Sequence, residues 1–142
     1  MDLNELYQEI IIDHFKHPRH AASLAEGEEL VDEENPTCGD QIRLTADVVD
    51  GRVEAIRYEA NGCAISMASA SMMADLLVGK SVEDARAWVG KFVGMMKGTE
   101  EIPEDELGDI AALAGVKRYP LRIKCATMSW HALNHALDKL GA

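Results

Sequence analysis

The stretch Gln41-Ile-Arg-Leu-Thr-Ala-Asp-Val-Val49-Asp50-Gly51-Arg52-Val-Glu-Ala-Ile-Arg-Tyr-Glu-Ala60 decides the fold class of this chain. Apolar residues alternate through its first half at Ile42, Leu44, Ala46 and Val48, and less cleanly through its second at Val53, Ala55 and Tyr58. A period of two marks a strand with one face on a core. Between the halves, Asp50-Gly51 supplies two residues that tolerate positive φ, as a type I′ turn requires, so the two runs read as a β-hairpin.

Helical patterns flank the hairpin. Leu3, Leu6, Tyr7, Ile10, Ile11, His14 and Phe15 form an i, i+3, i+4 stripe that predicts a leading helix over residues 3–16, stopped by Pro18. Ala64 to Val78, rich in Ala, Met and Leu and followed by Gly79, reads as a buried helix. Ser81-Val-Glu-Asp84 has the capping-box pattern and opens a third helix through Lys97, closed by Gly98. A short fourth is expected over Leu107–Leu113, and a last one opening at Cys125, with Met128, Ala132, Leu133, Ala136, Leu137 and Leu140 on its apolar face. The expected architecture is α+β: a small antiparallel sheet, the hairpin plus a possible third strand near Glu29 to Asp32, packed against about five helices. No repeat or linker divides the chain, so residues 1–142 are expected to form a single domain.

A net charge of −11 over 142 residues repels a phosphate backbone, which argues against a nucleic-acid partner. Acidic residues concentrate at Glu26 to Glu34 and Glu100 to Asp109, most simply solvated faces. No apolar run is long enough to span a bilayer, so no membrane association is expected. Three separated cysteines and no signal peptide point to a reducing, cytoplasmic setting with free thiols.

Cys38 (in Asn35-Pro-Thr-Cys38-Gly-Asp40), Cys63 and Cys125 each fall at a junction between a turn signal and a regular element. Three thiolates and the Asp40 carboxylate make a four-ligand set of the kind zinc takes. Cys63 and Cys125 are expected at helix N-termini, where unpaired N–H groups favour a thiolate. Cys38, on a loop with Pro36 and Gly39, is expected to be the reactive member. Lys124 and Arg122 stand close enough in sequence to offset the site's negative charge. His131 and His135 have the i, i+4 spacing of a metal pair, but no acidic third ligand accompanies them in the sequence, and they read as surface residues. His14, His17 and His20 are interrupted by Pro18 and do not read as one site. Six methionines, Met67, Met72, Met73, Met95, Met96 and Met128, read as core filler.

Tyr7 to Arg19 (YQEIIIDHFKHPR), Asn35 to Asp40, Gly62-Cys-Ala-Ile-Ser-Met-Ala-Ser-Ala-Ser-Met-Met73 and Arg122-Ile-Lys-Cys-Ala-Thr127 together resemble the SufU branch of the IscU-like (NifU N-terminal) proteins of iron–sulfur cluster assembly. Lys124 stands where IscU-type proteins carry a histidine, and Arg118-Tyr-Pro-Leu121 stands where they carry a chaperone-binding motif. The segment between Cys63 and Cys125 is also longer than theirs. The resemblance implies an IscU-like fold and a zinc-dependent sulfurtransferase, with zinc on Cys38, Asp40, Cys63 and Cys125. It implies a SufS-type cysteine desulfurase as partner, whose own histidine takes over a ligand position so that Cys38 accepts persulfide sulfur, and a downstream SufBCD-type scaffold as recipient. Two other readings use the same residues: a scaffold assembling a transient [2Fe-2S] cluster, and a structural zinc adaptor.

Overall fold

The computed structural model describes residues 2–36 and 38–142. Helix α1 (Leu3–Lys16) leads into strands β1 (Val31–Asn35), β2 (Asp40–Val49) and β3 (Arg52–Asn61). Helices α2 (Ala64–Leu77), α3 (Val82–Lys97), α4 (Glu104–Leu107) and α5 (Pro120–Lys139) follow, with a 3-10 stretch at Gly108–Arg118 between the last two. The α+β expectation is met, and among the described residues no helix is long and apolar enough to cross a membrane.

Asp50 and Gly51 have φ of 52° and 75°, so the hairpin turn is of the primed kind that Asp-Gly announces. The third strand exists as β1. It runs antiparallel to β2, with Val31 opposite Leu44 and Asn35 opposite Asp40, giving the order β1-β2-β3. Val31 is the one apolar residue in its Val-Asp-Glu-Glu-Asn sequence, which is why alternation could not place it. In β3 the expected inward set is corrected: Val53, Ile56 and Tyr58 are buried, and Ala55 is only half-buried. Asp47 pairs with Ala55 but Val48 pairs with Val53, so Glu54 is an extra residue that flips the phase of the strand.

Helix α5 packs across β1 and β2, while α2 lies against β3 and α5. Small residues let α2 and α5 approach closely: Ser69 donates its hydroxyl to the Ala126 carbonyl at 2.5 Å and accepts the Trp130 indole N–H at 3.0 Å. Trp130, fully buried, stacks on Phe92 of α3 with centroids 4.1 Å apart and planes 10° from parallel. Truncating such an anchor to alanine costs about 3–5 kcal/mol, so α5 is held firmly where it carries Cys125. Met72, Met73, Met95, Met96 and Met128 are buried in this core, and Met67 is partly so.

Helix α1 is less submerged than its stripe predicts: Leu3 is 61% and Leu6 42% exposed. Tyr7, Ile10 and Ile11 pack partly buried on the core, and the helix has a polar anchor as well. His14, 1% exposed, places Nδ1 2.7 Å from the Ser71 hydroxyl and Nε2 2.8 Å from Asp109 Oδ2. An ionised carboxylate only accepts, so Nε2 donates to Asp109, and in the neutral ring Nδ1 is then the acceptor facing the Ser71 hydroxyl. Ser71 in turn accepts the Arg19 amide N–H at 2.8 Å, and the Arg19 carbonyl accepts the Tyr58 hydroxyl at 2.8 Å.

Two helix boundaries differ from expectation. Gly108, at φ 52° and ψ −139°, ends α4 and prevents an α-helix from running over Leu107–Leu113. Helix α5 starts at Pro120, not Cys125, because proline at N1 is compatible with a helix start. The acidic stretch after Glu26 is only partly a solvated face. Glu29 pairs with Arg43 at 2.9 Å, Glu28 pairs with Arg57, and Arg43 also reaches Glu59 at 3.1 Å.

Candidate metal centre

Cys38 stands at the tip of the turn joining β1 to β2. The Asn35 carbonyl accepts both the Cys38 N–H at 3.3 Å and the Gly39 N–H at 2.8 Å, with Gly39 at φ 74°. The chain therefore reverses at once, and Asp40 opens β2 opposite Asn35 with 1% exposure. The turn holds the Cys38 backbone more firmly than a loose loop would. Thr37, between Pro36 and Cys38 in the motif, lies outside the described residues.

Asp40 is the hub. Its Oδ1 accepts the Cys63 amide N–H at 2.9 Å, and its Oδ2 accepts the Cys38 thiol at 2.9 Å and the Cys63 thiol at 3.8 Å. Cys63 is the N-cap of α2, its sulfur accepting the Ser66 N–H at 3.4 Å, as the sequence predicts. Cys125 lies more than a turn inside α5, so the expectation of a helix-start thiolate is corrected for it. Its Sγ is 3.2 Å from Cys38 Sγ and 3.9 Å from the Leu121 carbonyl. Exposure falls from Cys38, exposed, through Cys63 to Cys125, buried.

Electrostatics follow from this packing. Burial alone would raise the Asp40 pKa, but hydrogen bonds from the Cys38 thiol, the Cys63 amide and the Cys125 and Cys63 thiols outweigh it and hold the carboxyl below its ordinary value. Burial raises the Cys125 pKa well above that of a free thiol, and the Cys38 and Asp40 contacts push the same way. Without a cation, Cys125 is a neutral thiol.

Ligand atoms of Cys38, Asp40 and Cys125 lie within 4.8 Å of one another, and Cys63 adjoins them through Asp40. A zinc tetrahedron with Zn–S about 2.3 Å and Zn–O about 2.1 Å has edges of roughly 3.6–3.8 Å. The contacts of 2.9, 3.2 and 3.8 Å depart from the matching edges by about 0.7, 0.6 and 0.2 Å, the two shorter ones being bridged by thiol protons. The donor set, three sulfurs and a carboxylate, fits a borderline-soft ion. Arg122 and Lys124 are exposed on the first turns of α5, and neither side chain has a hydrogen bond or ion pair among the described residues.

Gly62 was not singled out in the sequence. A Cβ there would meet Asp40 Oδ1 at 2.2 Å, so the residue before Cys63 must be bare. A glycine beside a ligand at a strand-to-helix junction is the signal that could have found it. The histidines of α5 also read differently in space. Glu33 of β1 meets His135 Nδ1, so an acidic partner does accompany the pair, supplied by a strand about a hundred residues earlier in the chain. His14 and His20 do not converge: His14 is tied to Ser71 and Asp109, while His20 faces Asp75 at 3.8 Å.

The family model described as the NifU-like N-terminal domain matches residues 6–137. The chain is 47% identical over 138 residues to the zinc-dependent sulfurtransferase SufU of Bacillus subtilis, covering 97% of this chain and 93% of that protein. It is 45% identical over 137 residues to the iron–sulfur cluster assembly scaffold protein IscU of Streptococcus pyogenes, covering 96% and 86%. Among solved structures, one described as an iron–sulfur cluster assembly scaffold for the SUF system of Fervidobacterium islandicum superposes with a TM-score of 0.83. It is 30% identical, over 96% of this chain and 99% of that one.

Proposed function

The chain belongs to the NifU-like N-terminal domain family, and on that premise we propose that it is a zinc-dependent sulfur carrier of iron–sulfur cluster assembly. Its sulfur donor is a SufS-type cysteine desulfurase in the cytoplasm, and its downstream recipient is a SufBCD-type scaffold. The observation that carries the reading is the unequal exposure of cysteines that share one site: Cys38 faces solvent at a turn tip, while Cys125, 3.2 Å away, is buried.

The Cys38 thiolate attacks the outer sulfur of the donor's persulfide. A new S–S bond forms on Cys38, the old one breaks, and the donor's cysteine leaves as a thiolate, with no net gain or loss of electrons. Before it is ionised the Cys38 thiol is oriented by donating to Asp40 at 2.9 Å, and Asp40 is itself fixed by the Cys63 amide. Cys125 and Cys63, on helices packed into the core, keep the rest of the ligand set in place. Zinc on Cys38, Asp40, Cys63 and Cys125 would stabilise thiolates without redox chemistry of its own.

The test is alanine release from cysteine by a SufS-type desulfurase under reducing conditions, with and without this protein in its zinc form. Strong stimulation that Cys38→Ser loses supports the reading. No stimulation despite demonstrated binding overturns it. A [2Fe-2S] scaffold is the second reading, favoured by the 45% identity to a protein named as a scaffold and by thiolates that suit iron equally. Anaerobic reconstitution of a stable cluster that moves intact to an apo-acceptor would place it first.

A further inference from the structure

We propose that His131 and His135 of α5, with Glu33 of β1 behind them, form a second, thiol-free site for a borderline divalent transition ion. His131 and His135 are four residues apart, so their side chains lie one above the other on the exposed side of α5. Two imidazoles at this spacing can grip one ion between them.

Glu33 prepares one of them. Its carboxylate meets His135 Nδ1, and a carboxylate only accepts, so the proton of the neutral ring stays on Nδ1 and the lone pair on Nε2 is free for a metal. Protein metal sites commonly orient a ligating imidazole in this way. His131 has no hydrogen-bond partner among the described residues, so its lone pair is also free.

The charged groups that act on His131 are Lys97, Glu33 and the His135 ring. Desolvation first, then His135 and Lys97, lower the His131 pKa, while Glu33 opposes them, so this ring is readily neutral at physiological pH. Two nitrogen ligands with water in the remaining positions select Zn2+, Co2+, Ni2+ or Cu2+ over Mg2+ or Ca2+. Along α5 the pair stands six and ten residues beyond Cys125, roughly 9 and 15 Å at 1.5 Å per residue, so the two sites are separate.

The experiment titrates protein already carrying one equivalent of zinc with Co2+ at pH 7.5, followed by calorimetry and absorption. The expected result is one further equivalent whose spectrum lacks the intense near-ultraviolet sulfur charge-transfer band. His131→Ala and His135→Ala should each weaken it at least tenfold, and Glu33→Ala less. His131 and His135 are exposed and Glu33 is partly so, and circular dichroism confirms that the variants are folded. Absence of a further equivalent, a charge-transfer band on it, or unchanged affinity in His131→Ala would overturn the site.

Discussion

A Cβ on Gly62 would stand 2.2 Å from Asp40 Oδ1 and 2.7 Å from its Cγ. The glycine is the floor of the carboxylate's seat, and the next residue, Cys63, supplies the N–H that pins Oδ1. Gly62→Ala should turn Asp40 out of the cluster and break that hydrogen bond while leaving the core intact. The expected loss in zinc affinity is about 10–100-fold, the range found when an orienting partner is removed. Competition with a chromophoric chelator measures it, and an affinity within twofold of wild type would show that Asp40 is not held by this contact.

Helix α1 is tied down by a buried imidazole as well as by Tyr7, Ile10 and Ile11 of its apolar stripe, which pack partly buried on the core. Both His14 nitrogens are engaged, with Ser71 and Asp109, at 1% exposure. His14→Ala should cost about 2–4 kcal/mol in urea unfolding, combining a cavity with an orphaned buried hydroxyl. A double-mutant cycle with Ser71→Ala should show a coupling of about 1 kcal/mol or more. Strict additivity would mean that the pair is only adjacent.

Tyr58 gives a pH dependence on the alkaline side. Burial pushes its phenol up to about 12, against smaller lowering effects from the Ser71 hydroxyl and the Arg19 charge. The folded pKa is raised, so the native state holds the proton more tightly than the unfolded chain. The stability this provides is complete below the unfolded value of about 10 and declines as pH rises from there through 12. Phenolate absorbance should therefore show one of the three tyrosines titrating near 12, and Tyr58→Phe should flatten the stability profile between pH 10 and 12. A single transition near 10 for all three would contradict this.

The hairpin was legible because Asp50-Gly51 and the alternation around it are local signals, and α2 and α3 because their caps and stop glycines are local as well. β1 was not, since four of its five residues are polar and its burial comes from pairing with β2 and from α5 lying over it. The Glu54 bulge is a register shift against Asp47 and Val48 across the hairpin, which the alternation of one strand by itself does not show. At the candidate site, the residue types of Cys38, Asp40, Cys63 and Cys125 could be read directly. The role of Gly62 and the pairing of Glu33 with His135 could not, because each is a contact between segments that only the fold brings together.

Cys38→Ser and Cys125→Ser should fail in different ways, and the contrast separates a sulfur carrier from a zinc module that only organises structure. Cys125 is buried within a helix packed on the sheet, whereas Cys38 is exposed at a turn whose backbone is already held by Asn35. Zinc at a thousand times its Kd should stabilise the wild type by about 4 kcal/mol, or roughly 10 °C in Tm for a chain of this size. Cys125→Ser should lose most of that gain. Cys38→Ser should keep the metal-free Tm to within about 2 °C while abolishing transfer of labelled sulfur from a persulfidated desulfurase. If Cys38→Ser instead lowers stability as much as Cys125→Ser and transfer falls only in proportion to the folded fraction, Cys38 is a structural ligand and the adaptor reading takes precedence.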